Sequence, residues 1–209
     1  MRAPEEPAGR GTLWDRATPA GRALRAVDDA GDRWSARLRG RRWADAGAAS
    51  LSNLSDYGIV WVLAAAWKAR RGGNRRRRAI VALGLSGIAS YCVNRAVKRA
   101  VSRSRPVAGG SHEVLPVRAP SSSSFPSGHT LASFCTAVVL PDRPSTRGAA
   151  LALAVAVAGS RVHLRAHHTS DVLGGAIIGA ALGTLLRPLV DALAPDGGPG
   201  PRPKRGATT

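Results

Sequence analysis

The sequence predicts an all-α protein, a transmembrane helical bundle with an amphipathic helix at its N-terminal end. The first observation is a set of five apolar runs rich in Ala, Gly, Leu and Val, at about residues 51–67, 79–97, 128–141, 148–164 and 172–190. The second is that arginines flank several of these runs, a combination that is difficult to solvate outside a membrane. Each run is shorter or more interrupted than the roughly 20 apolar residues of a free-standing span. A soluble helical bundle is therefore the alternative fold.

Three parts of the chain differ in composition. Residues 1–50 contain a start that we expect to be disordered and, from about Leu13 to Arg42, an amphipathic segment whose apolar residues recur near helical spacing. The Arg and Trp content of this segment favours a helix lying at the membrane interface over a soluble packing helix. Residues 51–194 form the predicted membrane-embedded domain. Residues 195–209 form a basic tail, rich in Pro and Gly, that we also expect to be disordered.

Small residues in the last apolar run indicate close contact between helices. Glycine allows two helix backbones to approach in lipid, where no hydrophobic force drives helices together. The glycines concerned are Gly174, Gly175, Gly179 and Gly183. They predict a compact bundle.

The charge balance restricts the classes of partner. Lys and Arg number 31 against 13 Asp and Glu, which gives a net charge of +18. Such an excess is typical of proteins that bind nucleic acid or anionic lipid. The basic residues cluster at the ends of the apolar runs, and only 2 Tyr and 2 Phe are present to stack on bases. The distribution therefore predicts membrane lipids as partners and no nucleic acid.

The segment from Ser160 to Asp171 (SRVHLRAHHTSD) contains the first candidate for chemistry. His167 and Asp171 are four residues apart, which would place them on one face of a helix. A carboxylate beside an imidazole fixes the tautomer of the ring and raises its basicity or nucleophilicity. Together with His163, the same two residues could instead bind a metal ion. For any one histidine alone, a structural hydrogen bond is the simplest interpretation.

Two further segments supply groups that bind anions. In PSGH (126–129), a Pro–Gly turn precedes an apolar run, so that Ser127 could cap a helix whose N-terminal N–H groups suit an anion. Lys98 and Arg105 flank a segment that ends at Pro106. Taken singly, PSGH is a loop-to-helix junction, and the segment with Lys98 and Arg105 is an ordinary basic flank of a span. Together with the segment from Ser160 to Asp171, they supply the cations, histidines and carboxylate needed to bind a phosphate and break its ester bond.

In this order and at this spacing, the three segments resemble the signature of the type 2 phosphatidic acid phosphatase superfamily. This superfamily includes lipid phosphate phosphatases, polyprenyl diphosphate phosphatases, soluble acid phosphatases and vanadium haloperoxidases. The match consists of K-x6-RP, PSGH and SR-x5-H-x3-D, and it spans residues 98–171. It does not cover the N-terminal 50 residues. Integral-membrane members usually carry six spans, whereas five apolar runs are visible here.

The resemblance implies an enzyme, a membrane phosphatase that hydrolyses a lipid phosphomonoester or diphosphate of the polyprenyl phosphate or phosphatidic acid type. His167 would attack phosphorus and form a phosphohistidine, and Asp171 would hold its other ring nitrogen. His129 would protonate the leaving oxygen and then activate water. The phosphoryl oxygens would be bound by Lys98, Arg105, Ser127, Gly128 and Arg161. The resemblance implies no metal and no other cofactor.

Two other functions remain open at this point. A vanadate-dependent haloperoxidase-like enzyme would share the same pocket, although such enzymes tend to be large and soluble. A non-catalytic, polybasic membrane protein that binds lipid would tolerate the loss of His167, whereas a phosphatase would not.

Charge also predicts the orientation in the cell membrane. Seven basic residues lie in the loop 68–78, and the positive-inside rule places this loop in the cytoplasm. Counting spans from there brings all three motifs to the extracytoplasmic face. If 51–67 also spans, the ten arginines of residues 1–50 lie outside, against the same rule. We therefore expect either a re-entrant segment 51–67 or a crossing contributed by the amphipathic segment.

Overall fold

The computed structural model describes residues 18–70, 72–106 and 122–195, and this part of the chain is all-helical, as predicted. The helices are α1 (Pro19–Ala36), α2 (Arg42–Ser55), α3 (Ile59–Ala69), α4 (Gly73–Ala100), α5 (Gly128–Val139), α6 (Pro144–His163) and α7 (Thr169–Leu193). One 3₁₀ turn, Asp56–Gly58, joins α2 to α3. The residues expected to be disordered, at the start and in nearly all of the tail 195–209, lie outside the described residues.

Helix α5 lies at the centre of the bundle, where it packs against α4, α6 and α7. Its residues Leu131, Cys135 and Val139 are inaccessible to solvent. A polar contact with α3 is also buried, because the Trp61 indole N–H donates to Ser133 Oγ at 3.0 Å. The short central helix therefore fixes where the longer helices lie.

The predicted glycine contacts lie between α5 and α7. A Cβ atom added at Gly175 would lie 2.8 Å from the carbonyl oxygen of Ser127, and one at Gly183 would lie 2.8 Å from that of Cys135. Between them, Gly179 faces the backbone of Leu131. The two helix backbones are thus in direct contact, and the N-terminal turn of α7 lies beside that of α5.

Two of the described helices, α4 and α7, are long and apolar enough to cross a membrane. Only 17% and 22% of their most apolar windows are buried inside the protein, so most of this apolar surface faces outward. Large exposed side chains on this surface include Ile80, Ile88, Tyr91, Ile177, Leu185 and Leu189. An apolar outer face of this kind is what a lipid environment requires. Helices α3 and α5 are apolar but shorter.

The N-terminal region differs from its prediction in two places. The amphipathic helix is α1 alone, which ends at Ala36; a turn with Gly40 at φ 83° separates it from α2. The run 51–67 is not one helix, because the 3₁₀ turn and Gly58 at φ 72° divide it between α2 and α3. The predicted boundary between residues 50 and 51 consequently falls inside α2.

The bundle has two distinct ends. The ends of α4 and α6 and the starts of α5 and α7 meet at the end where the sequence motifs lie. At the opposite end, Lys68 donates to the carbonyl of Leu140 at 2.6 Å, and the buried Arg78 pairs with Asp191 at 2.6 Å. Helix α3 leads from the first end to the second, since Asp56 contacts His129 and Lys68 contacts Leu140.

Candidate active site

His167 lies in the loop between α6 and α7 rather than on a helix. Helix α6 ends at His163, and Arg165 turns the chain with a left-handed φ of 52° before α7 begins at Thr169. The expectation that His167 and Asp171 share one helical face is therefore wrong. The reason is a helix start: the Asp171 carboxylate accepts a hydrogen bond from the backbone N–H of His168 at 2.9 Å and so caps α7.

The hydrogen bonds of the His167 ring fix its tautomer. Nδ1 lies 2.8 Å from the carbonyl oxygen of Ser124, which can only accept, so Nδ1 carries the hydrogen. Nε2 lies 3.1 Å from a guanidinium nitrogen of Arg105, which can only donate, so Nε2 presents its lone pair. Burial, together with the positive charges of Arg105 and Arg161, lowers the pKa of His167 to about 4, against the opposing effect of Asp171. The ring is therefore a neutral base with an unprotonated Nε2 at physiological pH.

Asp171 lies near this ring without bonding it. Its Oδ2 is 3.8 Å from Nδ1 of His167, which is longer than a hydrogen bond. The carboxylate instead accepts from the Ser124 hydroxyl and from Arg103. Ser124 thus bonds both residues: its carbonyl accepts from the His167 ring, and its hydroxyl donates to the Asp171 carboxylate. It therefore fixes the position of the two side chains relative to each other.

Arg103 and Asp28 belong to the same network, and sequence reasoning missed both. Arg103 donates to Asp171, to Ser170 Oγ at 2.8 Å and to Asp28 Oδ2 at 2.6 Å. Asp28 also accepts from the backbone N–H of Ser170 at 2.8 Å. Helix α1 therefore holds the first turn of α7 in place. Asp28 is 142 residues away from Ser170, so no local pattern indicates this contact.

The three predicted phosphate-binding cations lie close enough for their charges to interact, and two of them, Arg105 and Arg161, act on His167. Lys98, at the end of α4, donates to Ser122 Oγ at 3.1 Å, and Arg105 donates to the carbonyl of Ala166 at 2.6 Å. Arg161 is buried in α6 and donates to Ser52 Oγ. The charges of Arg105 and Arg161 both act on Lys98. Like charges this close repel one another, so the arrangement favours an anion between them.

Two donors of this cluster have no partner within the part of the chain that the structure describes. They are the buried Nε atoms of Arg105 and Arg161. A buried unpaired donor is costly, particularly on a charged group. Anionic oxygens bound at the cluster would supply the missing acceptors.

The PSGH motif lies next to these cations, at the start of α5. His129 Nε2 is 2.7 Å from Oδ1 of Asp56 in the 3₁₀ turn. Ser127 is the N-cap residue of α5 by position, but its hydroxyl makes no capping bond and accepts instead from Thr130 at 3.0 Å. The Ser127 N–H donates to the carbonyl of Asp171 at 3.1 Å. Gly128 is the first helical residue, and its Cα faces the Asn94 amide.

The open alternative of a metal site at His163, His167 and Asp171 does not match the geometry. The His163 ring is buried between Asp45 Oδ1 at 2.7 Å and Ser35 Oγ at 3.3 Å, where it ties α6 to α2 and α1. Within residues 18–70, 72–106 and 122–195, no three His, Cys, Asp or Glu side chains are grouped to hold a metal ion. His163 therefore has a structural hydrogen-bonding role.

A cleft of about 260 Å³ opens beside His167, between α1 and the loop that carries this histidine. Its walls include the carboxylates of Asp28, Asp29 and Asp32 and the side chains of Arg165 and His168. Lys98, Arg105 and Arg161 are not among its lining residues, so this acidic cleft is not the place where those cations would bind an anion.

Comparison with known proteins agrees with this geometry. Residues 79–194 match the model of the PAP2 superfamily. The chain belongs to the PAP2 superfamily. It is 32% identical over 141 residues to decaprenylphosphoryl-5-phosphoribose phosphatase of Mycobacterium tuberculosis, which covers 66% of this chain and 76% of that protein. It is 29% identical over 150 residues to the undecaprenyl-diphosphatase BcrC of Bacillus subtilis, with the same coverage of 66% and 76%.

A solved structure has the same fold. The crystal structure of a transmembrane PAP2 type phosphatidylglycerolphosphate phosphatase from Bacillus subtilis superposes with a TM-score of 0.60 at 24% identity. The alignment covers 81% of this chain and 87% of that one. The prediction of a transmembrane helical bundle is thereby confirmed, and the chain is an integral membrane protein. The family model begins within α4, so α1, α2 and α3 lie outside it.

Proposed function

We propose that this PAP2 protein is a membrane phosphatase that hydrolyses a lipid phosphomonoester or diphosphate through a phosphohistidine at His167. The observation that carries the proposal is the neutral imidazole whose unprotonated Nε2 contacts Arg105, a member of a cluster of three cations. A nucleophile must present a lone pair, and the group it attacks must be an anion that those cations bind.

In the first step, Nε2 of His167 attacks phosphorus while the bond from phosphorus to the leaving oxygen breaks. Arg105 exchanges its contact with Nε2 for a phosphoryl oxygen, and Lys98 and Arg161 neutralise the others through the transition state. His129 gives its proton to the leaving oxygen. The carbonyl of Ser124 holds the Nδ1 hydrogen throughout, and the charge of Asp171 stabilises the positive ring of the phosphohistidine.

In the second step, water attacks the phosphohistidine. His129, now neutral, accepts a proton from this water as the new oxygen–phosphorus bond forms. The bond between phosphorus and Nε2 breaks, so His167 returns to its starting state and inorganic phosphate leaves. The two steps require no oxidant, reductant or bound metal.

The relatives and the surroundings of the site both support a lipid substrate. Two relatives act, by their names, on a polyprenyl-linked phosphate or diphosphate. The site lies at the end of a bundle whose outer helices expose apolar side chains, so that a lipid tail could remain in the bilayer while its phosphate enters the cation cluster. We propose a polyprenyl phosphate or diphosphate, or a phosphatidic acid type lipid, as the substrate.

Phosphate release from four lipids tests the proposal: phosphatidic acid, phosphatidylglycerol phosphate, decaprenylphosphoryl-5-phosphoribose and undecaprenyl diphosphate. The purified protein in detergent should hydrolyse at least one of them, and His167→Ala should abolish turnover. The matched control is His168→Asn, which replaces the neighbouring histidine but keeps a side chain able to cap α7. If His167→Ala released phosphate as fast as this control, the hydrolysis would come from a contaminant. That result would favour the alternative of a non-catalytic protein that binds lipid.

We also propose that the site faces the extracytoplasmic side. The basic residues at the end of α3 and the start of α4 lie at the opposite end of the bundle, where Arg143 and Arg147 add to their charge. The positive-inside rule places that end in the cytoplasm. The exposed residues Ser102, near the site, and Ser145, at the opposite end, give a matched pair for single cysteines in a background without Cys92 and Cys135. A membrane-impermeant thiol reagent on intact cells should label position 102 and not 145, and the reverse pattern would overturn the orientation.

A further inference from the structure

The C-terminal end of α2 contacts two of the proposed site residues. Ser52 accepts a hydrogen bond from Arg161, and Asp56, one turn later, lies 2.7 Å from the ring of His129. Both contacts come from a part of the chain outside residues 79–194, which the family model matches. The signature motifs therefore do not contain every residue that touches the site.

His129 has an electrostatic difficulty that Asp56 relieves. To protonate a leaving oxygen, the ring must carry a second proton and hence a positive charge. Burial of the ring and the positive charges of Arg161 and Lys98 all oppose that state. Asp56 is the carboxylate bonded to the ring, and a carboxylate beside an imidazole favours the charged form.

We propose that Asp56 is a positioning residue for the general acid, which holds His129 through Nε2–H and keeps its Nδ1 as the nitrogen that exchanges protons with substrate and water. This inference rests on the proposed function. In the first step Nδ1 loses its proton to the leaving oxygen, and in the second step Nδ1 regains a proton from the attacking water. The Nε2–H bond to Asp56 persists throughout, so no atom or charge is left unbalanced.

The surroundings of Asp56 support a local role in the site rather than a role in the core. Its side chain is 38% exposed, and half-exposed ion pairs contribute little to folding. The turn that contains it is held by contacts that do not use the Asp56 side chain. The backbone N–H of Asp56 donates to the carbonyls of Ser52 and Asn53, and Ser55 Oγ donates to the carbonyl of Leu51 at 2.7 Å. Asp56→Asn should therefore leave the fold intact while it removes the negative charge.

The basicity of the leaving group distinguishes a residue that supports the acid from a structural one. The alkoxide that leaves a lipid phosphomonoester needs a proton, whereas p-nitrophenolate leaves without one. Asp56→Asn should therefore lower kcat/KM for the best lipid phosphomonoester among the four lipids above by on the order of 10²-fold, and leave kcat/KM for p-nitrophenyl phosphate nearly unchanged. All losses compared here are losses in kcat/KM, because this quantity reports the first step, whereas the second step is common to both substrates. Asp142→Asn is the matched control, because it breaks an Asp–Lys pair, with Lys68 at 3.3 Å, at the opposite end of the bundle.

A double mutant completes the test. If Asp56 acts through His129, Asp56→Asn combined with His129→Ala should be no slower on the lipid than His129→Ala alone. Equal losses on both substrates in Asp56→Asn, or additive losses in the double mutant, would overturn the role of Asp56. A selective lipid defect in His129→Ala with normal Asp56→Asn would contradict this inference alone. Equal losses on both substrates in His129→Ala would contradict the acid role of His129 in the proposed function as well.

Discussion

The direct contact between α5 and α7 can be tested by adding one methyl group. In Gly179→Ala, the new Cβ would lie 3.0 Å from the Cα and the carbonyl carbon of Leu131, and it would be closest to the carbonyl oxygen. Carbon atoms prefer separations of about 3.5–4.0 Å, so the helices must move apart by on the order of 0.5–1 Å. The obstacle is backbone on both sides, and no side chain can rotate to relieve it.

Two magnitudes follow from that displacement. Overpacking of this kind costs about 1–3 kcal/mol, which for a chain of this size corresponds to a Tm lower by roughly 2–12 °C. The effect on activity should be larger, because α5 begins beside His129 and α7 begins beside His167. A misplacement of about 1 Å between reacting groups can lower a rate by about 10²-fold.

Gly87→Ala provides the control for this experiment. Gly87 lies in the middle of α4, and a Cβ there would meet nothing within 4 Å. Alanine should therefore be neutral or stabilise α4 by up to about 1 kcal/mol, from helix propensity. The assay is the thermal unfolding midpoint of the detergent-purified variants together with kcat/KM for the preferred lipid. A Gly179→Ala protein as stable and as active as Gly87→Ala would refute the close packing and its link to the site.

Four further outcomes are expected. Arg103→Ala should lower kcat and destabilise the protein by about 3–5 kcal/mol, measured by thermal unfolding, because Asp171 and Asp28 would be left as neighbouring carboxylates without their shared cation. Because the pKa of His167 is lowered to about 4, the ring should stay neutral well below the ordinary histidine pKa of about 6.5. A plot of kcat/KM against pH should therefore show no loss from this residue until about pH 4. As the pH falls, the unfolded chain binds a proton at this histidine near pH 6.5, whereas the folded chain does so only near pH 4. The free energy of unfolding should therefore decrease between pH 6.5 and 4. Activity should survive EDTA and be inhibited by vanadate, whereas complete loss with chelator and recovery with a divalent ion would contradict the metal-free steps.

Much of the site was predictable from the sequence because the signature residues lie close to helix ends. K-x6-RP begins in the last turn of α4, PSGH ends in the first turn of α5, and the third motif spans the junction of α6 and α7. Spacing within each motif, together with their order, was enough to indicate that Lys98, Arg105 and Arg161 would meet. The contacts that spacing could not indicate are those between distant segments. Asp28 lies in a polar helix and Asp56 in a turn, neither within a recognisable motif, and only the packing of α1 and α2 brings them to the site.

The errors have local physical causes. The four-residue interval between His167 and Asp171 is typical of a helix face, but Asp171 satisfies the backbone N–H of His168 instead, and this cap starts a new helix after the histidine. The first half of the run 51–67 is interrupted by polar residues, namely Ser52, Asn53, Ser55 and Asp56, and by Gly58. Asp56 and Gly58 were the clearest signal for the break, since a charged aspartate is costly in a span and Gly58 adopts a positive φ.

The stereochemical course at phosphorus tests the double displacement at His167 most directly. The substrate would be the preferred lipid phosphomonoester, made chiral at phosphorus with sulfur and oxygen isotopes, and it would be hydrolysed in water of a third isotope. Two successive in-line attacks, first by His167 and then by water, each invert the configuration, so the account predicts net retention in the thiophosphate released. Net inversion would show that water attacks the lipid phosphate in one step, and it would contradict a covalent intermediate on His167.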